Sequence, residues 1–536
     1  MIQLQRILTT FGFLLAFFQL MSQSTGEFPS DPLPIHYSEL ILSENLKHHV
    51  HALAADSMQG RDTGEPGGIM AGNYIENHFI ELGIPPVGDT TFRQTISFTW
   101  LRWDENDLWV NETAKRHFWD YLVLPRDNNS MEDIQVKKVV FVGYGIDDEK
   151  YQDLPYGEFR GKVALVMAGE PKDENGNYLL TGTEEPSDWS TSIQLKLEAA
   201  AQRGFDCVLF VEPELRQIVN KNRRILFRPV VTGDRTEPDE GIPNSIHLSM
   251  STAEELLKDS AEELFESIQD ENQLNVSKWV GEELEVNLEL NLLKNYHTLE
   301  DDNILGYIQG IDPDKKEELI ILSAHYDHIG FSGDEIFAGA NDNASGTSAV
   351  MEIGRAFSAA KKAGDGPERS VLLLLLTGEE KGLLGSAYYA ENPIFPLENT
   401  VANVNIDMLG RADEKHRELG VENYIYPIGS NRLSTELHKI LLEVNEQYSD
   451  IKLDFTYNDP EDPNRYYFRS DHYNFARKGI PAVFYFNGMN EDYHLASDTP
   501  DKLNFESMTA VTRHIFHLAW ELANREERIE ADLWEE

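Results

Sequence analysis

The chain has 536 residues, with 46 basic against 93 acidic side chains for a formal net charge of −47, and 41% of its residues are hydrophobic. That length predicts two or three domains, and the apolar content supports real cores, which excludes a disordered or fibrous chain. The acidic excess argues against nucleic acid or an anionic membrane as partner and reads as a solvated, self-repelling surface.

Arg6, the apolar stretch Ile7 to Met21 and the polar exit Ser22-Gln23-Ser24-Thr25-Gly26 have the outline of a secretory signal peptide, placed at residues 1–22. The stretch is short for a membrane span and lacks a basic stop, and no later stretch is long and apolar enough to cross a bilayer. The expectation is an exported protein, secreted or periplasmic, with no span in the mature chain.

Residues 37–83 carry helical spacing, in Leu46, Val50 and Leu53 and then Tyr74, Ile75, Phe79 and Leu82. The intervening stretch from Gly60 to Gly68 reads as a loop because of its Gly and Pro content. From Phe92 to Leu124 the pattern is aromatic and irregular. A first α/β pattern follows, with strands at Val139–Gly145, Val163–Val166 and Val208–Val211 and helices at Leu195–Gln202 and Ala253–Ile268. Alternation of Leu284, Val286, Leu288, Leu290 and Leu292 predicts a half-exposed strand. Asp173 to Asn177 reads as a hairpin turn, although it resembles a cation loop. The single cysteine, Cys207, precludes an intrachain disulfide and sits in an apolar run as a small buried hydrophobe.

From about residue 300 onward, strand and helix alternate as in an open α/β sheet. Four apolar runs there each end in an acid or a histidine. Leu319–Ala324 precedes His325, Val371–Leu376 precedes Glu379 and Glu380, Val401–Ile406 precedes Asp407, and Pro481–Phe486 precedes the loop carrying His494. Such runs read as buried strands of a mainly parallel sheet, and functional groups collect where strands of that kind end. Asp342 lies in Gly339-Ala340-Asn341-Asp342-Asn343-Ala344-Ser345-Gly346, ahead of a helix with Ala349, Ile353, Ala356, Phe357 and Ala360 on one face.

Each residue also has a plain reading. His325 could be a polar strand cap, Asp342 a helix N-cap, the Glu379-Glu380 pair a wet surface, and His494 an inert turn residue. Brought to one rim, however, two imidazoles and four carboxylates make an N/O site that suits zinc or a similar divalent cation. Asp327 projects to the same side as His325 and could hold its second nitrogen, whereas His328 reads as structural or substrate-facing.

The strings His325-Tyr326-Asp327, Asn341 to Gly346, Gly378-Glu379-Glu380, Asn405-Ile406-Asp407-Met408 and Tyr493-His494 resemble, in order, the metal-site motifs of the M28 family of dizinc exopeptidases. Ser57-Met58-Gln59-Gly60-Arg61 with Thr63-Gly64 is similar to the segment preceding that domain. The middle block resembles the protease-associated (PA) domain that many members carry. The resemblance implies a mixed, mostly parallel central sheet flanked by helices, of zinc-exopeptidase, phosphorylase/hydrolase-like type, with a β-rich α/β PA insertion. The implied layout is 23–124 as the N-terminal part of the peptidase domain, 125–285 as the insertion and 286–536 as the catalytic part.

It further implies two Zn2+ per chain, with His325, Glu380, Asp407 and His494 as terminal ligands and Asp342 bridging. Glu379 would be general base, Asp327 would orient His325, Tyr467 would hydrogen-bond the tetrahedral intermediate, and the Asp342–Asn343 peptide would be cis. The implied activity is aminopeptidase hydrolysis of peptides through a metal-bridging hydroxide. The alternatives are a glutamate-carboxypeptidase-like hydrolase, in which Arg469, Arg465 or Arg477 would pair with a substrate carboxylate, a mono-zinc glutaminyl cyclase, and a noncatalytic binding protein of the same architecture.

Overall fold

The apolar runs that end in chemistry are central strands, each buried along its whole length: Leu319–His325, Ser370–Leu376, Thr400–Ile406 and Ala482–Phe486. The computed structural model describes residues 32–534 apart from 88–89, 174, 222–229, 233–240 and 270–278. The expected signal peptide, 1–22, lies outside the described residues. Among those described, no helix is long and apolar enough to cross a membrane. The chain divides into two units, 1–96 with 301–536, and 97–300.

In the first unit, Leu319–His325 pairs in parallel with both Ser370–Leu376 and Thr400–Ile406, and Thr400–Ile406 pairs in parallel with Ala482–Phe486. Antiparallel partners border this group. Ile304 to Ile308 runs against Val371–Leu375, and Tyr426–Ile428 against Phe484–Phe486. The sheet is therefore mixed and mostly parallel, as expected.

Period-two alternation within each run divides its side chains between two cores. Ile320, Leu322, Leu373 and Val404 face a large cluster with Ile353, Phe357, Ile515 and Trp520 from helices Gly346–Ala363 and Phe505–Asn524. Leu319, Ile321, Leu372 and Leu374 face Tyr389 and Phe475 on the other side. Burial on both faces is why these strands read as continuous apolar runs.

In the second unit, Met131–Phe141, Val163–Met167, Cys207–Glu212 and Asn244–Ser249 form successive parallel pairs. Leu284 to Leu292 runs antiparallel to the first of them, and its alternate residues are buried as the pattern predicts. Cys207 is buried, and burial pushes its thiol up to about 12, in keeping with a hydrophobic role. The Asp173 carboxylate accepts N–H bonds from Asn175 and Asn177 in a hairpin turn.

Three local expectations differ from the structure. The stretch read as irregular contains a long strand, Arg93–Val110. Its Thr, Ile, Phe and Trp content favours strand, but burial along it is not regularly alternating, so no clean period is visible. Pro66-Gly67-Gly68, assigned to a loop, opens helix Pro66–Glu81, with proline in the first turn where no N–H is needed. The glycines serve packing there, since a Cβ on Gly67 would lie 2.0 Å from the Met58 carbonyl oxygen. Finally, the helix expected over Ala253–Ile268 is two, Met250–Leu257 and Asp259–Gln269, broken where Lys258 takes φ 53°.

Helix Gly346–Ala363 seats closely on the sheet because Gly354 has no side chain. A Cβ there would come within 2.4 Å of Leu373 Cδ1. Gly354→Ala is expected to cost about 1–3 kcal/mol. Combined with Leu373→Ala, it should cost less than the two single changes added together, because the second change opens the space the first one fills. Thermal melts of the three variants measure this.

Candidate metal centre

The parallel register sets the site. Ser323 pairs with Asn405, so two residues on His325 and Asp407 leave the sheet side by side, with His325 Nε2 3.3 Å from Asp407 Oδ1. His325 also pairs with Leu376, which brings the turn carrying Glu379 and Glu380 to the same rim. Asp342 enters between them: His325 Nε2 lies 3.5 Å from its Oδ1, and His494 Nε2 lies 3.1 Å from its Oδ2 and 3.1 Å from Glu380 Oε2. The six residues singled out in the sequence thus converge, Asp342 centrally, with His325 and Asp407 on one side and Glu380 and His494 on the other. Glu379 stands at the lip, 3.9 Å from His325 Nε2 and only partly buried.

The Asp342 loop is fixed from several directions. The Asp342–Asn343 peptide is cis. Asn343 donates to the Ile406 carbonyl and accepts from the Gly346 and Met408 N–H groups, while Asn341 accepts from Gly410 N–H. A Cβ on Gly339 would lie 2.3 Å from the Asp342 carbonyl oxygen, so this position, at φ 56°, admits only glycine. The Asp342 carboxylate points into the cluster and caps no helix. Beneath Asp407, Ser470 donates to its Oδ2 at 2.8 Å and accepts from Asn405.

The remaining assignments divide. Nδ1 of His325 faces the Asp327 backbone oxygen at 3.2 Å and its carboxylate at 3.7 Å. That carboxylate accepts from Thr63 and from the N–H groups of Glu379 and Glu380, so it shapes the glutamate turn as well. His328 is fully buried, and its Nδ1 is 2.8 Å from Glu380 Oε1. Tyr467 packs beside Gly429, Arg432 and His472. The tyrosines lining the recess next to Asp342, Glu379 and Asp407 are Tyr466 and Tyr493.

Besides Ser470, sequence reasoning missed two supports. Asp498 accepts the N–H bonds of Asn341 and Asp342. Arg61, quoted only as part of a resemblance, is fully buried and donates to the carbonyls of Leu53, Tyr326, Ala338 and Gly339. Its burial pulls the guanidinium down to about 10.

Charge governs the electrostatics. Burial raises the Glu379 carboxyl well above its usual range, opposed by His325 and reinforced by Asp407, Glu380 and Asp471. Burial alone would lower both imidazoles, but Glu379 and Asp407 hold His325 well up, and Asp342 and Glu380 hold His494 at about 10. Buried carboxylates at such spacing need cations. Donor separations of 3.1 to 3.5 Å approach the edge of roughly 3.4 Å that a tetrahedral zinc site with bonds near 2.1 Å would have. The N and O donors fit zinc, and Asp342 belongs to two candidate metal-binding trios. A third cluster, His49, His78 and Glu352, has a different balance, because Arg355 already donates to both oxygens of Glu352.

Fold and site define an α/β protein with a cluster of candidate metal ligands at the carboxyl edge of its sheet. Residues 303–519 match the model of peptidase family M28. Aminopeptidase YwaD of Bacillus subtilis is 32% identical over 171 residues, covering 30% of this chain and 35% of that protein. The chain spans 35 to 57% of the length of the first curated relatives it matches. An aminopeptidase from Aneurinibacillus sp. strain AM-1 shares the fold with TM-score 0.56 at 18% identity, over 93% of this chain and 98% of that one. A zinc aminopeptidase from Bacillus subtilis does so at TM-score 0.51 and 16% identity, over 92% and 99%.

Loss of the Asp498 carboxylate should loosen Asp342 without removing a donor. Asp498→Ala is expected to weaken zinc binding by about 10- to 100-fold, and Asp498→Asn, which keeps one acceptor oxygen, by less. Competition against a chromogenic chelator reads both.

Proposed function

We propose that this chain is an exported aminopeptidase that takes two zinc ions and removes N-terminal residues from peptides. The observation that carries the reading is Asp342 shared between His325 with Asp407 and His494 with Glu380, while Glu379 stays uncommitted at the lip. His325, Asp407 and Asp342 would hold one ion, and His494, Glu380 and Asp342 the other. Zinc held there supplies Lewis acidity, polarising a carbonyl and making a water easier to deprotonate. The names of the similar aminopeptidases support the same class.

The side chains then have distinct tasks. Glu379 takes the proton of the attacking water on its carboxylate at the lip and returns it to the leaving amine. The carboxylates facing the recess favour a substrate ammonium, which supports amino-terminal over carboxy-terminal cleavage. Tyr493, stacked on His494 at 3.8 Å, keeps its hydroxyl proton through burial and the nearby Asp342, Glu380 and Glu379, and so can donate to a developing oxyanion. Tyr467→Phe beside Tyr493→Phe tests which hydroxyl serves. The insertion between the two halves of the peptidase unit is read as a PA domain, supported by its α/β pattern and position in the chain.

The alternative, a glutamate-carboxypeptidase-like hydrolase, draws on one relative: a probable glutamate carboxypeptidase of Arthroderma benhamiae, 31% identical over 142 residues. Leucyl and acyl-glutamate substrates separate the two. Dialysis against a chelator should abolish leucyl-amide hydrolysis, and added zinc should restore it. Glu379→Gln should keep its zinc yet lose about a hundredfold or more in kcat. Native turnover in that variant, or undiminished activity after metal removal, would sink the proposal.

A further inference from the structure

The recess beside the metal centre has an apolar wall of Met408, Phe484, Phe486 and Met489, and one cation, Arg469. In a chain of net charge −47, an arginine near carboxylates would be expected to carry an ion pair. The neighbouring arginines are engaged: Arg411 pairs with Glu491 and Asp492, Arg477 lies 3.8 Å from Glu391, and Arg465 lies over the Phe468 ring. Arg469 is exposed and, among the described residues, makes no ion pair. Its guanidinium lies over the Tyr466 ring, 5.1 Å to the centroid. That stacking leaves the N–H fork open to a planar anion.

We infer that Arg469 makes this recess selective for an acidic N-terminal side chain, glutamate or aspartate, an inference that rests on the aminopeptidase reading. The recess carries Met408, Phe484, Phe486 and Met489 in its lining beside Arg469. Its apolar wall matches a methylene stem, and Arg469 matches the carboxylate at the tip. Asp342, Glu379 and Asp407 line the same recess and provide the negative charge for the substrate ammonium. The substrate would therefore place its side-chain carboxylate at Arg469 and its ammonium at the three acids. A guanidinium that served only to offset the acidic floor would instead affect every substrate alike.

The test uses the zinc-loaded full chain and its Arg469→Met and Arg469→Lys variants, with coumarin amides of Glu, Asp, Leu and Lys. Wild type should prefer the Glu and Asp amides. Arg469→Met should lower kcat/KM on them by about tenfold or more while changing the Leu amide by less than about threefold. Arg469→Lys should fall between. Calorimetry with free L-glutamate should show the same ranking of affinity. Equal losses on all amides, no loss on any, or a loss confined to acyl-glutamate substrates would overturn the assignment. If no form cleaves any amide but L-glutamate binding still depends on Arg469, the aminopeptidase reading fails while the recess assignment stands; if neither is seen, both fail.

Discussion

Electrostatic repulsion among Asp342, Glu379, Glu380 and Asp407 is the constraint on which this protein depends. Four carboxylates lie around two imidazoles at the end of a buried sheet, where low dielectric magnifies their mutual repulsion. Without compensating positive charge, such a cluster would protonate or spread. The raised positions of His325 and His494 and the depressed position of Glu380, opposed by burial but held by His328 and His494, express the same demand for cations. Divalent ions held by these N and O donors would meet that demand, and the proposed peptidase chemistry rests on them.

The scaffold holds the repelling groups together by using backbone polar groups as fasteners. Parallel registration delivers His325, Glu380 and Asp407 from three neighbouring strands, so no single loop has to position them. Asn341, Asn343 and Asp498 join the Asp342 loop to the segments after Ile406 and His494. Arg61 brings four carbonyls from separate segments to one guanidinium beneath the cluster. Its positive charge also favours the acids above it, which in turn keep it protonated.

The donors were legible in the sequence because each follows an apolar run, and burial on both faces makes such runs conspicuous. The Gly339-to-Gly346 stretch was legible as well, since its glycines signal close backbone approach. Asp498 and Ser470 were not, because each lies in a polar turn and its importance comes from partners 156 and 63 residues away. Arg61 falls in a stretch that reads as a loop, and its burial comes from tertiary partners as distant as Gly339. The split at Lys258 escaped notice because the helical spacing of apolar residues continues across a single left-handed residue. Arg469 could be named as a carboxylate partner alongside Arg465 and Arg477, but that it makes no ion pair among the described residues emerges only from the fold.

Metal content per folded chain tests the central claim most directly. Protein purified with zinc and freed of loosely bound ions should contain two zinc atoms per chain by elemental mass spectrometry. His494→Ala should fall toward one, and Asp342→Ala, which removes the shared carboxylate, toward none. A wild-type chain that binds no zinc, or variants that retain the wild-type content, would contradict the account.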